Sequence, residues 1–283
     1  MKMMIDSERT GFFNLLKIGI PELLFTAAYA SFIITIEEIY GDTIYSLPSG
    51  IGSVLGLAVA FFLGFRMNSA YGRWWEARKI IGEFAANSRK FSSKVVLYSQ
   101  KLFPDVGRQI IDILIEYNSH LTKHLFAPTS ESKQKSLHLL QKISSKVETA
   151  FGSNTLEKFD LLQIINNLHD IQGKAERTKF TPFLNIYKSF TRIMVYSYVL
   201  LLPFFVGDID LGGEHSVLEF LAIPLTMLFG YIFLMINKLA NMYGDPFNST
   251  KTSLPMEQIS FSLNKDLEMI KNLSVNAHLG HQA

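Results

Sequence analysis

Residues that could do chemistry are sparse in this chain, and the one regularly spaced group is Glu116, His120 and His124. They fall at i, i+4 and i+8 of a predicted helix, a spacing that could offer a carboxylate and two imidazoles to zinc or another divalent ion. A solvated amphipathic face produces such triples by chance, and the HExxH pattern is absent. His138 and His169 have no partner nearby in sequence. No Walker A, GxGxxG or GxSxG stretch is present, and the chain has no Cys, which removes disulfides, thiolate zinc sites and a cysteine nucleophile. No enzyme is expected and no cofactor is required, a divalent metal at Glu116, His120 and His124 being the sole candidate.

Two other constellations carry charge rather than catalysis. Arg66, Asn68, Arg73, Trp74 and Trp75 lie in the segment RMNSAYGRWWE, where a wholly apolar run turns polar without a Gly-Pro break. That segment reads either as a charged ring at a pore or as an interfacial anchor, with the tryptophans at the headgroup level and the arginines on lipid phosphate. Glu37, Glu38 and Asp42, and again Asp208, Asp210 and Glu214, sit in two short stretches free of Lys and Arg. Acids so placed could concentrate cations at a pore mouth, or could simply remain where basic residues are excluded.

The elements that must position these groups follow from composition. The 283 residues are 48% hydrophobic and 18% charged, with a mean hydropathy of +0.18, so the apolar residues must be segregated into spans. A net charge of +2, with basic residues scattered, gives no footprint for nucleic acid. Four spans are predicted, at about 20–36, 47–65, 190–206 and 217–236. Residues 1–19 read as a polar start with an apolar patch suited to the membrane surface. Between the second and third spans, amphipathic helices are predicted at roughly 76–102, 105–126, 131–149 and 155–179, with Asp105, Ser130 and Asn154 as N-cap candidates. A last helix is predicted near 256–273. The expected division is 1–66, a helical domain over 67–187, 188–238, and a polar tail over 239–283. The Lys and Arg bias places both termini and the helical domain in the cytoplasm.

Along the second span the i, i+4 spacing separates several stripes. Gly52, Gly56, Ala60 and Gly64 form a small one suited to close helix packing in lipid. Leu57, Phe61 and Phe65 form a bulky one, which must face lipid, a neighbour or a central axis. Periodicity leaves these three open.

The stretch LGFRMNSAYGRWWEARKIIG over 63–82 resembles the signature of the bestrophin family in its bacterial branch. Supporting similarities are Thr181-Pro182-Phe183, the LLLPF of Leu200–Phe204, and Asp245-Pro246-Phe247 followed by Leu254-Pro255. The resemblance implies an all-α membrane protein of four transmembrane helices with a cytoplasmic helical domain, assembled as a homopentamer around a central pore in a bacterial inner membrane. It implies a neck of three apolar rings at Leu57, Phe61 and Phe65, and a second constriction near Thr178. The implied partners are other copies of the chain, the bilayer and small monovalent ions. Those ions are chloride in the wider family and Na+ or K+ in some bacterial members. The polar run 248–253 replaces the acidic stretch of the eukaryotic calcium clasp, so calcium activation is not expected. A non-conducting scaffold whose cytoplasmic helices recruit a partner is the alternative.

Overall fold

The computed structural model describes residues 6–40, 47–100, 103–152, 155–181, 185–206, 222–248 and 254–279. They form eight helices: α1 Asp6–Tyr40, α2 Ser49–Ser99, α3 Pro104–Phe126, α4 Ser130–Ala150, α5 Thr155–Phe180, α6 Asn185–Val206, α7 Ala222–Tyr243 and α8 Met256–Leu279. No strand occurs among the described residues. The chain divides into two compact units, Met1–Tyr71 with Phe183–Gly244, and Gly72–Pro182 with Asp245–Ala283. Helix α2 contributes its first half to one and its second half to the other.

In the first unit, α1 packs on α7 and α6, and α6 on α7. Among the described residues, α2, α6 and α7 are long and apolar enough to cross a membrane. Helix α1 begins at Asp6, so the segment expected to lie apart at the surface belongs to the helix that carries the first predicted span. Pro21 is accommodated inside it. Helix α2 starts directly after Pro48, whose carbonyl accepts from Ile51 N at 2.9 Å, and Leu47 N donates to Phe204 O at 3.0 Å. Helix α7 runs on to Tyr243, beyond the expected end of the span at 236, and carries Asn237 into a buried position. Residues 217–221 of the fourth predicted span lie outside the described residues.

The second unit is built like a soluble domain. Its core joins the second half of α2 to α3, α4, α5 and α8, with Phe91, Ile110, Leu114, Tyr117, Leu140, Ile143, Leu161 and Leu168 excluded from solvent. The predicted caps shift by a residue or two. Helix α3 starts at Pro104 after Phe103, because proline needs no partner for a missing N–H, and Asp105 falls in the first turn. Thr129, not Ser130, caps α4: its hydroxyl accepts from Ser132 N at 3.0 Å, and Ser132 Oγ accepts from Thr129 N at 3.0 Å, a reciprocal capping box. Asn154 lies outside the described residues. The segment expected as a polar tail is anchored in this core through Phe247, Leu254, Met256, Leu263 and Leu267. Asn118 of α3 donates to Ser260 O at 3.1 Å and to Asn264 Oδ1 at 2.6 Å, fastening α8.

Candidate functional site

Leu57, Phe61 and Phe65 are 74%, 60% and 52% exposed on the subunit, although they sit in the middle of an apolar helix. Phe61 and Phe65 meet edge to face with centroids 4.5 Å apart, so the two rings hold one another in place on that face. The opposite side of α2 is closed. Val59 and Leu63 form a small core with Val195, Val199 and Leu234. Gly52 and Gly56 bring the backbone against α6: an added Cβ would lie 2.5 Å from Phe205 Cγ and 2.5 Å from Tyr198 Oη, respectively.

The small stripe is therefore only half used for packing. A Cβ on Gly64 would meet nothing within 4 Å, and Ala60 is exposed. The reason is geometric: an i, i+4 row turns by about 40° per step on a helix of 3.6 residues per turn, so Gly64 has rotated away from Gly52. The seam that is buried alternates steps of four and three, through Gly52, Gly56, Val59, Leu63, Arg66 and Ala70.

That seam contains the main electrostatic surprise of the first unit. Arg66, a candidate for a charged ring or a lipid anchor, is only 2% exposed. Its Nη1 donates to Thr191 Oγ1 at 2.9 Å and Asn237 Oδ1 at 2.5 Å, and its Nη2 donates to Asn241 Oδ1 at 2.5 Å. All three acceptors are neutral. Their signal in sequence is their polarity within apolar segments, where a hydroxyl or amide must find an internal partner. A second polar contact in this unit, Lys238 Nζ on Glu22 Oε1 at 2.7 Å and Ile18 O at 2.7 Å, joins α7 to α1.

The remaining candidates of the 66–76 segment separate. Asn68 is exposed. Arg73, in the second unit, donates to Thr181 O at 2.5 Å and to Thr178 O, tying the end of α5 to α2. Trp74 packs against the second unit's core with Arg78 5.9 Å above its ring, while Trp75 is 46% exposed.

Thr178 does not present a side chain to open space. It is 7% exposed and its hydroxyl is spent on Lys174 O at 3.0 Å within its own helix. Phe180, two residues on, is 50% exposed and is the bulky apolar group displayed at that end of α5. Asp42, Asp208 and Asp210 lie outside the described residues, and Glu37 has only its helical backbone described.

Glu116, His120 and His124 do not converge. His120 Nε2 lies 3.8 Å from Glu116 Oε1, whereas His124 is 1% exposed and turned inward, its Nδ1 2.8 Å from Ser132 Oγ and its Nε2 3.6 Å from Glu176 Oε1. Two i, i+4 steps carry His124 about 80° from Glu116, far enough to move it from surface to core. Among the described residues no three His, Asp or Glu side chains form a group that could hold a metal. His124 belongs instead to a buried network. Gln172 accepts from Tyr117 Oη at 2.9 Å and donates to Ser136 Oγ at 3.0 Å and Glu176 Oε1 at 2.8 Å. Burial holds the Tyr117 hydroxyl well above the ordinary phenol range, with Glu176 adding to the effect, so it acts as a neutral donor.

Taken together, the features define an all-helical membrane protein with one unit of long apolar helices and a second unit built around its own apolar core. The family model described as bacterial/fungal bestrophin protein matches residues 15–137 and 112–269, and the chain belongs to that family of ion channels. It is similar to the voltage-dependent anion channel-forming protein YneE of Escherichia coli O157:H7, 25% identical over 234 residues that cover 76% of this chain and 74% of the relative. The voltage-dependent anion channel-forming protein RSc3414 of Ralstonia nicotianae is 23% identical over 253 residues, 82% of this chain and 79% of the relative. Among solved structures, a bacterial bestrophin homolog from Klebsiella pneumoniae matches with a TM-score of 0.78 at 22% identity, covering 89% of this chain and 98% of that one.

Proposed function

We propose that the chain is one subunit of a homopentameric channel for small monovalent anions such as chloride, with its pore along the exposed apolar face of α2. The observation that carries this reading is the exposure of Leu57, Phe61 and Phe65 on one side of a helix whose other side is closed by α6 and α7. Five copies of that face around an axis make three stacked apolar rings. Such rings restrict permeation by dewetting, since an ion that passes must shed hydration where no polar group replaces it. The names of the relatives support anions over cations.

In this reading α1, the first half of α2, α6 and α7 are the four spans of each subunit in a bacterial inner membrane. The second unit and both termini are cytoplasmic. The acids Glu37, Asp42, Asp208 and Asp210 then stand at the outer mouth. Phe180 replaces Thr178 as the residue that narrows the pore beyond the neck. The protein needs no cofactor, and its partners are its own copies, lipid and the permeant ions.

Phe61→Ala tests the neck. Reconstituted in a planar bilayer, the variant conducts more than wild type, because removing five rings lowers the dewetting barrier without touching a hydrogen bond. An unchanged single-channel conductance in Leu57→Ala, Phe61→Ala, Phe65→Ala and their triple combination would place the pore elsewhere.

A further inference from the structure

We infer that Arg66 sets the anion preference of the pore from behind its wall, as a buried and uncompensated positive charge just below the neck. The inference rests on the pore reading above. Arg66 follows Phe65 directly and points about 100° round the helix from it, into the contact with α6 and α7 and away from the exposed face. It cannot touch a permeating ion. It can act on one through its field.

Three observations make that field strong. First, a guanidinium remains protonated in proteins, so burial does not silence it. Second, each oxygen it reaches is neutral: Thr191 Oγ1, Asn237 Oδ1 and Asn241 Oδ1 solvate the charge but do not cancel it. Third, its surroundings carry the same sign. Arg192 is close enough to repel Arg66.

Burying an ion without a counter-ion costs stability, and a carboxylate in place of either asparagine would offset part of that cost by attraction while adding its own desolvation. The sequence instead holds amides of nearly the same shape as aspartate. That choice preserves the charge. One such charge per subunit gives a ring at the cytoplasmic end of the neck. There, low-dielectric protein and lipid screen it far less than water screens a surface residue. Anions are favoured and cations opposed at the point where both have lost hydration.

The test is the reversal potential of the reconstituted channel under asymmetric NaCl. Asn237→Asp puts a carboxylate 2.5 Å from Nη1 in the same shape, and it remains ionised beside the guanidinium. It neutralises Arg66 while leaving every pore-facing side chain in place. The expected result is a fall of roughly tenfold in the chloride-to-sodium permeability ratio in a channel that still conducts. Asn241→Asp, on Nη2, repeats the neutralisation at an independent position. Arg66→Lys keeps the charge and the anion preference, and Arg66→Met loses it. Because each aspartate adds an ion pair, both Asp variants are expected to assemble as wild type on size exclusion. A wild-type reversal potential on the sodium side overturns the inference, as does an unchanged potential in conducting Asn237→Asp and Asn241→Asp channels. Failure of the neck itself is read separately, from the conductance of Phe61→Ala.

Discussion

The two halves of α2 obey one packing rule and face opposite environments. In the first half the buried seam is small or slender, Gly52, Gly56, Val59 and Leu63, while Ile51, Val54, Leu55, Leu57, Phe61 and Phe65 are exposed. In the second half the seam adds bulky groups, with Ile81, Phe84, Phe91 and Val95 buried beside the small Ala77, Ser88 and Ser92, while Lys79, Glu83, Arg89 and Lys90 face outward. Both seams advance by alternating threes and fours. The helix is thus indifferent to its solvent, and only the residue type on each side changes. In lipid the outward face gains nothing from polarity and the inward face gains from close approach, whereas in water the inward face must supply apolar area.

The sharpest way to test that contrast is to truncate one phenylalanine in each half. Phe91→Ala removes a fully buried ring from the second unit and is expected to cost about 3–5 kcal/mol, read as a large fall in the apparent Tm of the purified protein. Phe61→Ala removes an exposed ring and is expected to leave Tm within a few degrees of wild type while changing conductance. Equal losses of Tm from the two would show that the exposed face of the first half is a packing surface rather than a lining.

A smaller effect separates the glycines of the first half. A Cβ at Gly56 would lie 2.5 Å from Tyr198 Oη, whereas one at Gly64 meets nothing within 4 Å. Gly56→Leu is expected to lose about 1–3 kcal/mol by overpacking the α2–α6 contact, seen as a lower Tm and poorer assembly. Gly64→Ala is expected to be neutral or slightly stabilising, since alanine favours the helix. Comparable damage at both positions would mean that Gly64 too is covered in the assembled protein.

Much of this layout was legible in the residues, and the misses share a cause. Apolar runs place α2, α6 and α7, and the cap candidates Asp105 and Ser130 fall within a residue or so of the starts of α3 and α4, because proline and cap chemistry act locally. Rows of i, i+4 residues mislead at Gly64, three steps from Gly52, and at His124, two steps from Glu116. Gly64 was grouped with Gly52, and His124 with Glu116, though a true helix turns each pair apart. In sequence Arg66 reads as part of a charged ring or as a lipid anchor, because nothing near it answers its charge. Its acceptors Thr191, Asn237 and Asn241 are more than 120 residues away, and only tertiary packing brings them in. Thr178 came from resemblance rather than from the face it occupies, and its burial moves the expectation to Phe180.

The smallest expected effect lies in the second unit and sharpens the contrast from the other side. A buried arginine keeps its charge, but a buried histidine can shed its proton. Burial lowers the pKa of His124 below its usual value of 6.5, outweighing the attraction of Glu176, with Lys133 lowering it further. The unfolded chain therefore binds the proton more readily than the folded one. The stability this contributes is fully present above about pH 6.5 and is lost as the pH falls through the folded-state value. The groups facing the ring are Ser132 and Lys133 from α4, and Glu176 and Phe180 from α5. Thermal melts between pH 7.5 and pH 5, on a scale of about one unit either side of the imidazole range, should show a decline in Tm that His124→Gln reduces. Parallel curves for the two proteins would remove His124 as the source. A wild-type Tm that rises on acidification would mean that the 3.6 Å approach to Glu176 Oε1 becomes a stabilising ion pair, so that attraction rather than desolvation governs this site.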